Sequence, residues 1–207
     1  WSQFMQQNMK KKFTPISEIG EFGLINKITK PFNIKHKSTK FGIGDDAAVL
    51  SSKNNSNVLI SQDMLIEGVH FNTTYSPIKH LGYKSMAVNI SDICAMNGTP
   101  THALISLAIP NKYSVETIEE LYEGVRLACN NYNVELIGGD TTSNPVGLNL
   151  GVTIMGEVNS SKITYRSGAS PKDLIVVSGD LGSAYLGLQI LERERLAELK
   201  EKERQNL

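Results

Sequence analysis

The chain has 207 residues, 40% of them hydrophobic, which is enough to bury a sizeable core and sets a prior of one domain or one and a fraction. Its 21 basic side chains balance 21 acidic ones, so no charge excess points to a nucleic acid or an acidic membrane surface as partner. No segment approaches a membrane span, and Trp1 to Phe13 contains no apolar signal-type run.

In chain order, residues 1–8 are expected to be leader or added residues, because Met9-Lys10-Lys11-Lys12 is a more natural beginning than Trp1. Ser17 is placed to cap a short helix with Glu18 and Glu21 in its first turn and Phe22, Ile25 and Ile28 on one side. Residues 47–50 and 57–61 read as strands around the polar turn Ser51 to Ser56. The spacing of Tyr83, Met86, Ala87, Ile90, Ile93 and Cys94 predicts a helix from Pro77 to Met96, stopped by Asn97-Gly98.

Ser85, Asn89 and Asp92 form a second, polar stripe on that helix. His102 to Ile109 is a strand ended by Pro110, and Ser114 caps a second helix through Ile118, Leu121, Tyr122, Val125 and Ala128. Cys94 and Cys129 lie on the apolar faces of these helices, where buried, reduced thiols are expected, as suits the cytoplasm. Val134 to Ile137 reads as a short strand running into Gly138-Gly139-Asp140, and Leu148, Leu150, Val152 and Ile154 alternate as in a half-buried strand. A turn-rich stretch after Arg166 leads into the apolar run Leu174 to Val177, then into a charged helix from Ala184 to about Arg204. This interleaving predicts an α/β fold with a mixed sheet.

The chemistry lies in aspartates set beside glycine or at the ends of apolar runs: Asp45-Asp46 after Gly42-Ile43-Gly44, Asp63 after Val58-Leu59-Ile60, and Asp140 after two glycines. Taken alone, Asp45-Asp46 and Asp63 read more readily as turn residues than as metal ligands, and Asp140 reads evenly as either. Asp92 is different, because a carboxylate on a helix of Met, Ala and Ile is either solvated on the polar face or aimed with Ser85 and Asn89 into a site. Several such groups suit hard cations, since magnesium takes oxygen ligands and shares a few carboxylates with phosphate. His70 has no zinc-type partners, Arg166 beside a glycine turn suits a phosphate or a surface ion pair, and no Walker loop or kinase His-Arg-Asp motif is present.

Gly42 to Val49, Asp63 to Phe71, Tyr83 to Met96, Gly138 to Thr142 and Tyr165 to Ala169 resemble, in order, the motifs of the thiamine-monophosphate kinase family. The glycine–aspartate pairs are also similar to aminoimidazole ribonucleotide synthetase, selenophosphate synthetase and the hydrogenase-maturation dehydratase. The resemblance implies an aminoimidazole ribonucleotide synthetase N-terminal-like domain over residues 9–165, for ATP and magnesium binding and dimerisation, and the start of an incomplete second α/β domain over 166–207. It implies magnesium ligands at Asp46, Ser61, Asp63, Asp92 and Asp140, with Gln62, where threonine is common, contributing through its backbone carbonyl. It further implies ATP contacts from Gly139, Asp140, Arg166 and Tyr122, a thiamine monophosphate contact from His70, and a cytoplasmic homodimer whose N-terminal sheets pair. The reaction implied is transfer of the ATP γ-phosphoryl group to thiamine monophosphate. Another ATP-dependent member of the superfamily and a non-catalytic nucleotide-binding or dimerisation fragment are the alternatives.

Overall fold

The computed structural model describes residues 15–52 and 55–205, so the expectation for residues 1–8 and part of the polar turn before Ser56 lie outside the described residues. The chain divides into two units, residues 1–37 and 38–207. In the first, a 3₁₀ turn spans Ile16–Glu18 and helix α1 spans Gly20–Thr29. Ser17 does not cap this helix. It lies inside the separate 3₁₀ turn, and the residue before α1 is Ile19, which makes no side-chain cap bond.

The second unit is built on a six-stranded sheet in the order β1-β2-β3-β6-β4-β5. Its strands are β1 (Thr39–Phe41), β2 (Ala48–Ser51), β3 (Ser56–Ile66), β4 (Thr99–Ile109), β5 (Glu135–Ser143) and β6 (Asn149–Asn159). All neighbours are antiparallel except β4 and β5, which are parallel. Parallel strands need a crossover, and helix α3 (Val115–Tyr132) supplies it. The mixed sheet is as expected, but β3 and β5 run further than the apolar residues predict. Asp63 and Asp140 therefore lie inside strands, not in turns after them. The long ladders of β3 with β6 and of β4 with β5 satisfy the backbone of these polar residues, which extends the strands beyond their hydrophobic segments.

Helix α2 (Ile78–Ala95) packs with α3 over one face of the sheet. Met86, Ile90 and Ile93 meet Leu59, Ile105, Val152 and Ile154 in the core, all at most 2% exposed. The alternation predicted for β6 holds: Leu148, Leu150, Val152 and Ile154 are fully buried. The α2 stop also holds, with Asn97 taking the left-handed conformation (φ 60°) and the Gly98 N–H donating to the Ile93 carbonyl. Ser114 caps α3 by accepting from the Thr117 N–H at 3.3 Å.

Two expectations fail here. Cys94 is exposed and Cys129 only half-buried, because the core stripe of α2 runs through Met86, Ile90 and Ile93 and leaves position 94 to one side. Leu174 to Val177 forms no strand among the described residues and stands 54–95% exposed, since a strand gains stability only from a paired neighbour. The charged helix α4 is present at Ser183–Gln205. No helix among the described residues is long and apolar enough to cross a membrane.

The two core helices touch through glycine. A Cβ on Gly124 would lie 1.9 Å from the Lys79 carbonyl oxygen, and one on Gly82 would lie 1.9 Å from that of Leu121. Backbone on both sides leaves no flexible group to yield. Gly124→Ala should therefore force α2 and α3 apart and cost at least about 1–3 kcal/mol, read as a lowered midpoint in denaturant unfolding. A wild-type midpoint would show that the helix contact is not constrained.

Candidate active site

The site begins where α2 lies against β3. Asn89, fully buried, accepts the Asp63 backbone N–H through Oδ1 at 2.8 Å and donates from Nδ2 to the Ser85 carbonyl at 2.9 Å. Ser85, also fully buried, donates to the Gly82 carbonyl at 2.8 Å. One turn beyond Asn89, Asp92 Oδ2 accepts from the Ser61 hydroxyl at 2.6 Å. The polar stripe of α2 is therefore turned onto the strand and not into solvent. Asp92 is half-buried against Ser61, so it is not a carboxylate solvated on an exposed polar face.

A second segment closes on the first. After Gly42-Ile43-Gly44, the Asp45 carboxylate accepts the Asp46 N–H at 2.9 Å and the Arg166 backbone N–H at 3.1 Å, so it serves to shape the loop. The Arg166 guanidinium donates to Asp46 Oδ1 through Nε at 3.1 Å and also through Nη2. Phe41 and Tyr165, with ring centroids 5.5 Å apart, and the Thr164 N–H on the Met96 carbonyl hold the Arg166 segment beside this loop. Burial raises the Asp92 carboxyl above the ordinary range; Ser61 lowers it, Asp63 and Asp46 add repulsion, and Arg166 offsets part of that. Asp46, Asp63 and Asp92 thus form one electrostatic cluster with Ser61 and Arg166.

Other expected site residues lie apart. Gln62 alternates with Ser61 and Asp63, which turns its exposed side chain to the opposite face of the sheet; only its backbone is on hand for this cluster. Asp63 pairs with Val152, Val152 with Ile105, and Ile105 with Gly139. Gly139 and the adjacent Asp140 are therefore three strand spacings from the cluster, roughly 14 Å. Gly139 is required by its neighbour strand, since a Cβ there would lie 1.8 Å from the Ile105 carbonyl oxygen. His70 follows β3 in an exposed loop, where Nδ1 accepts the Ile66 N–H at 3.0 Å and leaves Nε2 to carry the proton of the neutral ring.

Tyr122 lines two neighbouring apolar cavities on α3, of about 390 and 450 Å³, the first bounded also by Tyr113 and Ile118, the second by Val125 and Leu136. Leu136 and Asp140 lie on the same strand, about 13 Å apart by strand rise. An apolar recess and a polar strand end thus lie on one strand.

The donors of the cluster are all oxygens, which fits a hard divalent cation and excludes a soft thiolate-type site. Among the described residues, no three His, Cys, Asp or Glu side chains converge closely enough to hold a metal by themselves. A cation here must draw the rest of its shell from water or from a phosphate ligand, as magnesium commonly does. The polar stripe of α2 was visible in the sequence, yet Asn89 was not singled out as a support of Asp63. Its signal was its spacing from Asp92. Nothing in the sequence marked the role of Asp45 in shaping the loop.

The crowded carboxylates have a measurable cost. Asp92→Asn should raise the unfolding midpoint in chelator, because it removes a partly buried charge facing Asp63 and Asp46 while keeping an acceptor for Ser61. A carboxyl whose folded pKa is raised contributes stability below its unfolded pKa and loses it as pH rises through the folded value. The gain from the amide should therefore appear near neutrality and vanish at acid pH. A lowered midpoint at pH 7 would make Asp92 a net stabiliser.

Residues 44–158 match the family model "AIR synthase related protein, N-terminal domain". The chain is 43% identical over 174 residues to the thiamine-monophosphate kinase of Bacillus subtilis, an overlap of 84% of this chain and 53% of that protein. It is 38% identical over 181 residues to the thiamine-monophosphate kinase of Aquifex aeolicus, covering 87% of this chain and 55% of that one. Among solved structures, AaThiL complexed with AMPPCP and TMP superposes with a TM-score of 0.79 at 36% identity, covering 89% of this chain and 56% of that chain. The chain spans about half the length of the curated relatives it matches. With this domain over more than half its residues and these homologues along most of its length, the chain belongs to the AIR synthase related protein family, where its relatives are thiamine-monophosphate kinases.

Proposed function

We propose that the chain forms the nucleotide- and cation-binding part of a thiamine-monophosphate kinase, which transfers the γ-phosphoryl group of ATP to thiamine monophosphate. The observation that carries this reading is the likeness to AaThiL complexed with AMPPCP and TMP, a structure of that protein with both ligands. In this reading Asp46, Ser61, Asp63, Asp92, Asp140 and the backbone carbonyl of Gln62 hold magnesium. Gly139, Asp140 and Arg166 meet the nucleotide phosphates, Tyr122 meets the base, and His70 meets the acceptor phosphate. The oxygen-only donor set supports the choice of metal, and the strand joining Leu136 to Asp140 links the recess to the edge-strand carboxylate.

The acceptor is a phosphate oxygen, largely ionised at neutral pH because the second pKa of a phosphate ester is about 6. No general base is needed. The obstacle is repulsion: two unit charges about 4 Å apart cost about 4 kcal/mol at an effective dielectric near 20, and both groups carry more than one. Bound magnesium supplies neutralisation of the phosphates and a fixed frame for in-line displacement. The chain's share is to hold carboxylates ready on a strand and helix locked by Asn89, and to keep Arg166 on Asp46 until phosphate oxygens compete for it.

The same reading makes the protein a cytoplasmic homodimer in which the N-terminal sheets pair. The sheet face opposite α2 and α3, which carries Ile60, Leu104 and the 54%-exposed Met64, supports this pairing. Residues 166–207 then begin a second domain, a reading supported by the exposed apolar run Leu174 to Val177, which awaits a neighbour.

Calorimetry with magnesium and AMPPCP should show binding to this chain that Asp63→Asn abolishes without unfolding it. Unaltered magnesium dependence in the variant would remove Asp63 from the cation site. In the full-length enzyme, thiamine diphosphate should form from ATP and thiamine monophosphate, and His70→Ala should raise KM for thiamine monophosphate about tenfold or more, the equivalent of one charged hydrogen bond. A rise confined to ATP would reverse the assignment of His70.

A further inference from the structure

Glu67, whose carboxylate accepts four hydrogen bonds, belongs to none of the roles above. Glu67 stands three residues before His70, and its side chain is only 15% exposed. Its Oε1 accepts from Lys112 Nζ at 2.6 Å, from the Tyr113 hydroxyl at 3.1 Å and from the Thr73 hydroxyl at 3.4 Å. Its Oε2 accepts the Leu148 N–H at 2.8 Å. Burial pushes this carboxyl up, but the bonds from Lys112, Leu148 and Tyr113 outweigh it and hold the group below the usual range.

These bonds reach three places at once. Leu148 opens the way into the central strand β6, Lys112 and Tyr113 lie in the loop before α3, and Thr73 follows the His70 loop. The loop itself is closed by the Gly68 N–H on the Phe71 carbonyl at 2.8 Å and by the Ile66 N–H on His70 Nδ1. Tyr113 also lines the apolar cavity beside Tyr122. One carboxylate thus ties the His70 loop to the sheet and to a wall of that recess.

We propose that Glu67 is a positioning residue for the acceptor: its carboxylate fixes residues 66–71, and with them the His70 ring, relative to the Tyr113 wall of the recess on α3. This rests on the reading that His70 meets the acceptor phosphate. A staple that served the fold alone would have no effect on the His70 ring or on the choice between substrates. Glu67 acts through the loop, because fixing a group before the ligand arrives removes an ordering cost from binding.

The test combines ¹⁵N NMR of the His70 ring with steady-state kinetics of the full-length enzyme. In the wild type the ring should show the single Nε2–H form, its Nδ1 held by Ile66. In Glu67→Ala it should become a mixture of forms, with KM for thiamine monophosphate raised about tenfold and KM for ATP within about twofold. Glu67→Gln, which keeps one acceptor oxygen in place of two and loses the charge facing Lys112, should fall between. Should the alanine variant fail to fold, Tyr113→Phe removes one bond to the same carboxylate and should shift the same two readouts in the same direction. An unchanged ring and unchanged KM in the folded variants would overturn the proposal, even with a lowered unfolding midpoint. A wild-type enzyme that makes no thiamine diphosphate, while its ring still depends on Glu67, would overturn the acceptor role and leave only the loop contact.

Discussion

The structure turns on the seam between helix α2 and strand β3. Asn89, fully buried, spends its side chain on two backbone groups, the Asp63 N–H and the Ser85 carbonyl. A buried amide left unpaired would cost about 1–3 kcal/mol, so this contact holds helix and strand in one register. The same helix buries Met86, Ile90 and Ile93 against the sheet. Core packing and site geometry are therefore one arrangement, and neither can shift without the other.

That arrangement crowds negative charge. Asp92 is partly desolvated and faces Asp63 and Asp46, while Ser61 and Arg166 offset only part of the repulsion. Desolvation of a charge without a full set of partners is unfavourable, so the cluster weakens the cation-free fold. Under the proposed function, a divalent cation bound there would change the sign of that balance. Arg166, more than half exposed, is the counterion that the fold supplies to Asp46.

The other residues proposed for the site are held at a distance by the sheet. The row from Asp63 through Val152 and Ile105 to Gly139 crosses the sheet from the cluster to the edge strand. The close approach of Gly139 to Ile105 keeps the edge strand tight against β4 where Asp140 follows. Just past the C-terminal end of β3, Glu67 anchors the loop that carries His70.

Much of this was legible in the amino-acid order alone. The helix of Met86, Ile90 and Ile93, the alternation of Leu148 to Ile154 and the cap at Ser114 are local periodicities and local hydrogen bonds, which nearby residues decide. The aspartates beside glycine and the polar stripe through Asn89 and Asp92 also announced an oxygen-rich site. Strand length was not legible: β3 carries Gln62 and Asp63, and β5 carries Gly139 and Asp140, because pairing with β6 and β4 supplies backbone bonds that propensity cannot foresee. The exposure of Cys94 and of Leu174 to Val177 likewise depends on which surfaces find a neighbour. The sequence by itself determined which groups could act and on which elements they ride. Only the tertiary structure decided that Asp46 meets Arg166, that Asp63 leans on Asn89, and that Glu67 gathers Lys112, Tyr113 and Leu148, because contacts between residues far apart in the chain are settled by packing and not by local order.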